Sequence, residues 1–386
     1  MKSIAIVTRG MMLGGIEKAL ISMLNNIDYT SYRVDLFIVE SEGELEKEIP
    51  KEVKINYIYE KRLRDSIVES IKNFNITNLF NVTMIGINSR IMKNKYKLFR
   101  FMTKKLPNVD EVYDIAVAYH NPITFPTVYA IDKIIANKKV MWIHSDINQY
   151  SEIVDDFKEY YEKYDVIFGV SNGVVKEFSN RYPDLKNKCH VYYNYISKSE
   201  ILKKCDEKKY YFGEDNKINI LTVGRLSWEK GIHKIPQIAK KLMENNSNFK
   251  WYIIGDGPEK SKIAELIRNL NVEEKVILLG NKKNPYNYMR DCDIYVQTST
   301  YESYCLTVTE AKCFEKPIVS TKVIGAIEQI EDRKNGILVN DNIDELYNEI
   351  KNLINNDKLR KELAINLSNE NIDTRNEFKK IEKYCL

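Results

Sequence analysis

Two carboxylates placed around the start of an expected helix are the first residues that could do chemistry. Glu302 and Glu310 lie in the stretch TYESYCLTVTEAKCFEKPIVST, ahead of an apolar run that follows a proline. If Glu310 lies about two turns into a helix, roughly 12 Å along its axis, the amides between the glutamates are free donors at the helix N-terminus. They belong to Ser303, Tyr304, Cys305 and Leu306. Such a set suits a nucleotide-sugar, with hydroxyls at both ends and phosphates between them, although an ordinary helix with two glutamates has the same sequence.

Two basic residues and two glycines follow other apolar runs. Arg225 and Lys230 come after INILTVG, ahead of a helix expected to start near Gly231, and two cations beside helix-start amides suit a diphosphate. A solvated loop with two ordinary charges is the competing interpretation. Gly14 and Gly15 lie where the first apolar run gives way to a helix, and glycines there let the backbone approach a phosphate closely. Neither pattern is G-x-G-x-x-G or a P-loop, so a nicotinamide cofactor has little support.

Thirteen short apolar runs, rich in β-branched residues and bounded by Gly, Pro or Asn, are predicted to be the strands that position these groups. They are residues 3–8, 33–39, 53–59, 113–119, 138–144, 164–170, 189–194, 218–224, 249–255, 275–280, 293–298, 316–321 and 336–340. Helix-length segments such as 231–246 and 259–271 lie between them. Alternating strands and helices predict parallel sheets covered on both faces, with ligands outside the carboxyl ends of the strands.

A length of 386 residues predicts two domains. The charged stretch 197–217 has no strand pattern and is interpreted as the connection between them. We therefore expect an α/β chain with two Rossmann-like, doubly wound domains facing a central cleft. The expected boundaries are 1–197 for the first domain, 198–365 for the second, and 366–386 for a C-terminal helix that packs back toward the first.

Composition and charge exclude several classes of protein. The 59 basic and 55 acidic residues nearly balance, which does not indicate a nucleic-acid partner. The six cysteines form no C-x-x-C pair, as expected for reduced thiols in a cytoplasmic protein. Arg9 interrupts the first apolar run too early for a secretory signal, and no window of about 18 uncharged apolar residues predicts a transmembrane helix.

The segment SRIMKNKYKLFRFMTKKLP, residues 89–107, departs from the alternating pattern. It carries seven basic residues and no acidic one, and its apolar residues fall roughly along one helical face. This composition is typical of a helix that lies on a membrane surface. A surface helix whose apolar side belongs to the core would have the same composition, so both interpretations stay open.

A series of motifs occurs in order along the chain. They are GGIEKAL, WIHSD, VSNGV, GRLSWEKG, IIGDGPE, VILLGNKKNPYNYMRDCDIYVQTSTYESYCLTVTEAKCFEKPIVST and NGILV. Together they resemble the retaining glycosyltransferases of family 4, which have the GT-B fold, and the two glutamates match that family's E-x7-E motif. The resemblance covers nearly the whole chain and is densest from about 218 to 340. Two departures are Cys305, where the family often has glycine, and the later loop VIGAIEQI, which has only Gly325.

The resemblance implies how a nucleotide-sugar donor is held. Arg225 and Lys230 would bind its diphosphate, with Gly15 amides helping. Glu310 would bind the ribose hydroxyls, and Glu302 with the amides after it would hold the transferred sugar.

The resemblance also implies the surroundings of the base and the acceptor. Gly280, Asn281 and Lys282 would border the base, which we expect to be that of UDP, and His144 would lie near the sugar and the acceptor. The first domain would bind a glycan or lipid-linked acceptor. The family needs no metal, and DCD (291–293) is interpreted as a helix-to-strand junction instead of a metal site.

The implied reaction is transfer of a sugar, with retention, to an acceptor hydroxyl in the synthesis of a bacterial surface polysaccharide, teichoic-acid-like polymer or glycolipid. The protein would work in the cytoplasm, at the inner face of the membrane if residues 89–107 bind lipid. In a glycosidase, Glu302 and Glu310 would have to face each other across the glycosidic bond, about 5–10 Å apart. That interpretation would leave Arg225 and Lys230 without a role. A nucleotide-sugar epimerase, a sugar phosphorylase and a non-catalytic subunit that binds a nucleotide-sugar also stay open as hypotheses.

Overall fold

The chain divides into two compact units, seen in a computed structural model that describes residues 1–41, 43–59, 94–205, 212 and 217–386. The first unit combines Met1–Tyr195 with Arg375–Leu386. The second unit is Ile196–Thr374. Each unit contains one β-sheet whose neighbouring strands are all parallel.

The sheet of the first unit has the strand order β3-β2-β1-β4-β5-β6-β7. Its strands are β1 (Lys2–Thr8), β2 (Tyr32–Glu40), β3 (Lys54–Tyr59), β4 (Val109–Asn121), β5 (Ile134–Ile143), β6 (Val166–Gly169) and β7 (Cys189–Val191). In β1 every residue from Ile4 to Thr8 is buried, so both faces of this part of the strand are covered. The continuous apolar run in the sequence is therefore the pattern of a parallel strand covered on both sides.

The sheet of the second unit has the order β10-β9-β8-β11-β12-β13. Its strands are β8 (Ile218–Val223), β9 (Phe249–Ile254), β10 (Val276–Gly280), β11 (Ile294–Gln297), β12 (Ile318–Thr321) and β13 (Ile337–Val339). The chain leaves β8 toward β9 on one side and leaves β11 toward β12 on the other. The carboxyl ends of β8 and β11 therefore border a topological switch point, where open α/β sheets bind ligands.

Helices cover both sheets. They are α1 (Gly15–Leu24), α2 (Lys95–Lys104), α3 (Phe125–Asp132), α4 (Lys158–Tyr161), α5 (Asn172–Arg181), α6 (Lys198–Lys203), α7 (Ile235–Glu244), α8 (Lys260–Asn269), α9 (Tyr286–Asp291), α10 (Leu306–Cys313), α11 (Ile324–Gln329), α12 (Ile343–Asn355), α13 (Asp357–Ser368) and α14 (Lys379–Cys385). The buried face of α7 shows why these segments fold as they do: Ile235, Ile238 and Leu242 recur at helical spacing and are fully buried.

The C-terminal segment belongs to the first unit through specific contacts. The ring of Phe378 lies edge-on against Tyr32, with centroids 5.2 Å apart. The Tyr32 hydroxyl donates to Glu382 at 2.8 Å. The Lys380 ammonium donates to the carbonyl of Val191 at 2.9 Å. These contacts join α14 and the turn before it to strands β2 and β7.

The predicted fold class, two doubly wound α/β domains, is confirmed, and every predicted strand is present. Strands β4 and β5 begin earlier than expected, at Val109 and Ile134. The helix expected from Gly231 begins only at Ile235. Before that helix, Gly231 is left-handed with φ 64°, and single 3-10 turns lie on both sides of it.

The basic segment is described only in part, since residues 89–93 lie outside the described residues. The rest forms α2 and the turn after it. The ring of Phe99 packs against Phe125 and Phe157, with centroids 6.1 and 6.2 Å apart, whereas the α2 lysines face solvent. The apolar side of α2 is thus used within the first unit. Among the described helices, none combines the length and apolar content needed to cross a bilayer.

Candidate active site

The loops after β8 and β11 bring three of the predicted residues to one edge of the second sheet. Arg225 and Lys230 lie in the loop after β8, and Glu302 lies in the loop after β11. The ammonium nitrogen of Lys230 is 2.5 Å from Glu302 Oε1. Because these side chains are only 23% and 13% exposed, the ion pair is partly shielded from solvent.

Close packing fixes the loop that carries Lys230. A Cβ on Gly231 would lie 2.0 Å from the carbonyl oxygen of Thr298, so the residue after Lys230 has to be glycine. The Thr298 hydroxyl donates to the Lys230 carbonyl at 3.0 Å. On the other side, a Cβ on Gly257 would lie 2.4 Å from the carbonyl oxygen of Leu226. The loop is therefore held between the β11 loop and the turn after β9.

Glu302 is held by one of its two oxygens. Oε1 accepts hydrogen bonds from Lys230, from Gln297 Nε2 at 2.8 Å and from Ser299 Oγ at 3.1 Å. The Tyr295 hydroxyl in turn donates to Gln297 Oε1 at 3.1 Å. No described residue donates to Glu302 Oε2. The carboxylate thus has one anchored oxygen and one that can accept a hydrogen bond from a bound hydroxyl.

Two residues of this arrangement were missed by the sequence analysis. Gln297 is the last residue of β11, and a polar residue that ends an apolar strand could have indicated it. Glu229 lies between the two cations. Burial raises the pKa of the Glu229 carboxyl group. Hydrogen bonds from the Ser227 side chain and from the backbone amide of Glu229, together with the charges of Arg225 and Lys230, outweigh burial, so the pKa lies below its usual value. Glu229 is therefore ionised at neutral pH.

The start of α10 has an unusual backbone. Its N-cap, Cys305, is left-handed with φ 59° and ψ 58°, which is strained for a residue other than glycine. The amides of Val308 and Thr309 donate to the Cys305 carbonyl at 3.0 and 3.2 Å. The amides of Cys305 and Leu306 make no hydrogen bond within the described residues. They remain available as donors at the helix N-terminus.

The other two residues predicted at this helix start serve the loop before it. Ser303 is buried. The Tyr304 carbonyl accepts a hydrogen bond from Gln329 on α11. The Gly325 amide donates to the Glu302 carbonyl at 3.1 Å, and a Cβ on Gly325 would lie 2.5 Å from the Tyr304 backbone. Helix α11 thus packs tightly against the loop that carries Glu302.

Glu310 lies deeper than expected. Its side chain is buried, and it accepts a hydrogen bond from the Tyr286 hydroxyl at 2.9 Å. The expected separation of about two helical turns is wrong, because α10 begins only at Leu306. Glu310 therefore lies about one turn, or ~6 Å of helix rise, from the start of α10.

The residues predicted to border a base lie at the far side of the sheet. Gly280 ends β10, an edge strand that β9 separates from β8. Its φ is 68°, which favours glycine, and its carbonyl accepts from the Gly255 amide at 3.0 Å. Asn281 is exposed and Lys282 half-buried in the turn that follows. These three consecutive residues follow β10, whereas Lys230 lies in the loop after β8.

The glycines predicted in the first unit lie next to a carboxylate. Gly14 is the N-cap of α1, and Gly15 is its first residue. A Cβ on Gly14 would lie 2.4 Å from Glu17 Oε2. Glu17 Oε1 is 3.3 Å from His120 Nε2, and His120 Nδ1 is 2.9 Å from the hydroxyl of Thr8. A phosphate on these amides would meet the Glu17 carboxylate as well.

His144 follows β5 and is buried among aromatic rings of the first unit. Its ring centroid is 4.4 Å from that of Tyr119, and its plane is nearly parallel to that of Trp142. Burial, and then the nearby His120, holds the His144 pKa well below its usual value, so its imidazole is neutral at pH 7. Its buried Nε2 has no hydrogen-bond partner among the described residues.

The acidic residues of DCD have structural partners. Asp291 accepts a hydrogen bond from Arg290 at 2.7 Å, and Asp293 accepts one from the amide of Asn219 at 2.7 Å. Throughout the part of the chain that the structure describes, no group of three or more His, Cys, Asp or Glu side chains is arranged to hold a metal ion.

Known proteins resemble this chain in sequence. Residues 205–369 match the family described as Glycosyl transferases group 1. The chain is 29% identical over 81% of its length to a poly(ribitol-phosphate) alpha-N-acetylglucosaminyltransferase of Staphylococcus aureus, 61% of which is matched. It is 31% identical over 55% of its length to a 4-alpha-N-acetylgalactosaminyltransferase of Campylobacter jejuni that acts on a diphospho-undecaprenol substrate, 58% of which is matched. Both matches cover less than two thirds of the relative.

A solved structure resembles the whole chain. It is the Anabaena protein HepE in complex with UDP, with a TM-score of 0.69, 18% identity and 99% of each chain covered. At this identity the likeness shows the fold alone, which is the two-domain GT-B fold expected from the motifs. The residues Arg225, Lys230, Glu302 and Glu310 all lie within the segment that matches the glycosyl transferases group 1 family.

Proposed function

We propose that this protein transfers a sugar from a UDP-sugar to an acceptor hydroxyl with retention, in the synthesis of a bacterial surface polysaccharide or glycolipid. One observation carries the proposal: in the glycosyl transferases group 1 segment, Lys230 and Glu302 form an ion pair at the switch point between β8 and β11. The relatives' names, and the UDP held by the Anabaena protein, support the choice of donor and pathway.

The proposed work of the site is to stabilise the leaving diphosphate. Arg225 is exposed at the edge of the sheet, and Lys230 lies five positions further along the same loop. Their charges, together with the amides of Cys305 and Leu306, would neutralise the negative charge that develops as the bond to the sugar breaks. Lys230 has three N–H donors, so it can hold Glu302 and a phosphate oxygen at once.

The proposed contacts at the two ends of the donor use the glutamates. Glu302 Oε2 would accept a hydrogen bond from a sugar hydroxyl, since Oε1 is already occupied by three donors. Glu310 and Tyr286 would bind the ribose, and the turn at 280–282 would border the base. Retention would follow from attack on the face that the diphosphate leaves, with a phosphate oxygen taking the proton of the acceptor hydroxyl. No step of this scheme needs a metal ion.

We assign acceptor binding to the first unit. His144 would serve there as a neutral hydrogen-bonding group, because burial keeps its imidazole uncharged. The exposed lysines of α2 would hold the protein at anionic lipid on the inner face of the plasma membrane. Since Phe99 is packed within the unit, this contact would be electrostatic and would weaken with salt. Vesicles with phosphatidylserine should bind the protein, and serine at Lys95, Lys97, Lys104 and Lys105 should abolish binding.

A thermal-shift screen against nucleotide-sugars tests the donor. UDP-sugars at 100 times their dissociation constant should stabilise the protein by about 2.7 kcal/mol, because they bind only the folded chain. Lys230→Ala should remove the shift. Lys358→Ala, at a lysine that is 88% exposed on α13, is the matched control and should keep it. Stabilisation by nicotinamide nucleotides alone would refute the proposal.

An assay of the product tests the reaction. UDP should be released from the UDP-sugar only when an acceptor is present, and the anomeric configuration of the product, read by NMR, should equal that of the donor. Release without acceptor would indicate an epimerase or hydrolase. Binding of the UDP-sugar without turnover under any acceptor would indicate a non-catalytic subunit.

A further inference from the structure

Three polar side chains meet at the carboxyl edge of the first sheet, and the proposed donor site does not use them. Thr8 ends β1, His120 is the next-to-last residue of β4, and Glu17 lies in the first turn of α1. His120 Nδ1 is 2.9 Å from the Thr8 hydroxyl, and His120 Nε2 is 3.3 Å from Glu17 Oε1. We call these three side chains the first-unit cluster.

The first-unit cluster lies at the switch point of its sheet. Strand β1 lies between β2 and β4. The chain leaves β1 through α1 toward β2 on one side, and it leaves β4 through α3 toward β5 on the other. Open α/β sheets bind ligands at the carboxyl ends of the strands that border such a point. The cluster therefore lies where a ligand of the first unit is expected.

Burial holds the first-unit cluster in one arrangement. Thr8 is 0% exposed, and the side chains of His120 and Glu17 are 11% and 15% exposed. Because a carboxylate can only accept hydrogen bonds, the contact with Glu17 favours a hydrogen on His120 Nε2. In that tautomer of the neutral ring, Nδ1 accepts a hydrogen bond from the Thr8 hydroxyl. Thr8 thus orients the imidazole, and the imidazole orients the carboxylate.

Glu17 uses only one of its two oxygens within the cluster. No described residue donates to Oε2, and this atom is not sealed from solvent. It lies over the N-cap of α1, since a Cβ on Gly14 would be 2.4 Å from it. The amides of Gly15 and Ile16, which follow the N-cap, also lack a partner among the described residues. An oxygen that accepts and amides that donate are thus available together at the start of α1.

This combination suits a hydroxyl group. A hydroxyl both donates and accepts, so it can donate to Glu17 Oε2 and accept from an amide at once. The diphosphate oxygen expected at Gly15 from the sequence has no hydrogen to give to the carboxylate, and the two negative charges repel each other. An ammonium group has no lone pair for the amides. Arg9, the cation of the loop after β1, already faces Glu40 at 3.5 Å.

We propose that Glu17 binds a hydroxyl of the acceptor and that Thr8 and His120 position its carboxylate. The inference rests on the proposed function, in which the first unit binds the acceptor. It gives the acceptor a chemical class at this point: a neutral sugar or polyol unit, bound through a hydroxyl, instead of a phosphate group. Glu17 orients this unit by a hydrogen bond and takes no proton from it.

Nitrogen NMR of isotope-labelled histidine rings tests the contact without turnover. The chain has four histidines, so His120→Gln identifies the His120 signals by their loss. We expect these signals to show the tautomer with the hydrogen on Nε2. Ribitol, methyl glucoside or methyl N-acetylglucosaminide, added with UDP present, should shift them, and Glu17→Ala should abolish the shift. A shift with inorganic phosphate but with none of the three neutral compounds would overturn the proposal, as would no shift at all.

Kinetics test the consequence for transfer. Glu17→Ala should raise the KM for the acceptor by about tenfold, as for loss of a hydrogen bond to a charged group, and leave the KM for the UDP-sugar unchanged. Gly14→Ala should do the same, because its methyl group displaces the carboxylate while the extended backbone at φ −150° accepts an alanine. The double variant should match Glu17→Ala alone, since both changes remove one contact.

Substitution of Thr8 tests the positioning. Thr8→Val removes the hydroxyl but keeps the shape, so the KM for the acceptor should rise by about threefold. Thr8→Ser, which keeps the hydroxyl, should restore the original KM. Glu162→Ala, at a side chain of the first unit that is 54% exposed, is the matched control and should change neither KM. Thermal melts check that each variant is folded.

The outcomes separate the two proposals. Transfer by Glu17→Ala with an unchanged acceptor KM would refute the hydroxyl site and leave the transferase proposal standing. A rise in the KM for the UDP-sugar instead would assign the start of α1 to the donor and overturn the inference. Absence of transfer by the unsubstituted protein with every donor and acceptor would refute the transferase proposal, and the NMR experiment would still decide whether the first-unit cluster binds a hydroxyl.

Discussion

Lys230 and Glu302 are 72 positions apart in the chain, and their side chains meet at 2.5 Å. The contact joins the loops after two neighbouring strands, β8 and β11. Glu302 is also held by Gln297 and Ser299, so its position does not depend on Lys230 alone. The pair therefore gives the site a fixed carboxylate and a cation with donors to spare before any ligand binds.

Glu302→Gln should separate binding from transfer. The glutamine keeps the shape of the side chain but removes its charge, so we expect a loss of transfer rate of about 100-fold, in line with the removal of one preorganised polar group. Affinity for UDP should be retained, because Lys230 is then free of its internal counter-charge. Initial rates and calorimetry measure the two quantities. Glu331→Gln, at a side chain that is 67% exposed, is the control, and equal loss of UDP affinity and rate would contradict the assignment.

Gly325→Ala should displace the loop of Glu302. The new methyl group would lie 2.5 Å from the backbone of Tyr304, so the loop has to move. We expect destabilisation by about 1–3 kcal/mol and reduced activity. Ile327→Ala, at an exposed residue of the same helix, controls for substitution in α11. Thermal melts measure the stability of both variants, and initial rates measure their transfer activity. A stabilised Gly325→Ala variant would show that the packing of Gly325 against Tyr304 is looser than the structure indicates.

Cys305 offers a direct test of backbone strain. Cys305→Gly and Cys305→Ala both remove the buried thiol, but only glycine removes the Cβ at a φ of 59°. We therefore expect the glycine variant to be more stable than the alanine variant by about 1 kcal/mol. Urea unfolding of both variants measures the difference. Equal midpoints would mean that the loop relaxes around a Cβ at no cost.

Glu177 on α5 should make stability depend on pH. Burial, followed by a hydrogen bond with Asp146, raises its pKa to about 7 from 4.5. The folded chain therefore keeps a proton that the unfolded chain has lost between these pH values, and stability falls as the pH rises through this window. The unfolding free energy of the unsubstituted protein, relative to that of Glu177→Gln, should fall from pH 5 to pH 8 by at most ~2 kcal/mol after solvent screening. Urea titrations of both proteins measure it, and a constant difference would contradict the assigned pKa.

Local sequence patterns predicted the strands well. Runs such as SIAIVT and INILTVG are too apolar for a half-exposed strand, and both became central strands buried on two faces. Helix boundaries were harder to predict. The start near Gly231 was wrong because the left-handed glycine and its flanking 3-10 turns depend on packing against Thr298, a contact 67 positions away that no local pattern shows.

The candidate site was predictable in its residue types more than in its geometry. Arg225, Lys230, Glu302 and Glu310 stand out because charged residues follow apolar runs. The roles of Gln297 and Glu229 could not be predicted, because each depends on a contact that the fold creates. Gln297 donates a hydrogen bond to Glu302, and Glu229 lies near the charges of Arg225 and Lys230. The burial of the Glu310 side chain could not be predicted from the sequence either, because its hydrogen-bond partner Tyr286 lies on another helix.

The sequence by itself determined the alternation of strands and helices and placed the charged residues at strand ends, because both depend on the chemistry of short segments. Only the tertiary structure decided that β8 lies beside β11, that Lys230 meets Glu302, and that Glu17 lies beside His120. The order of strands in a sheet depends on how all the helices and strands pack together, and contacts between distant loops follow from that order.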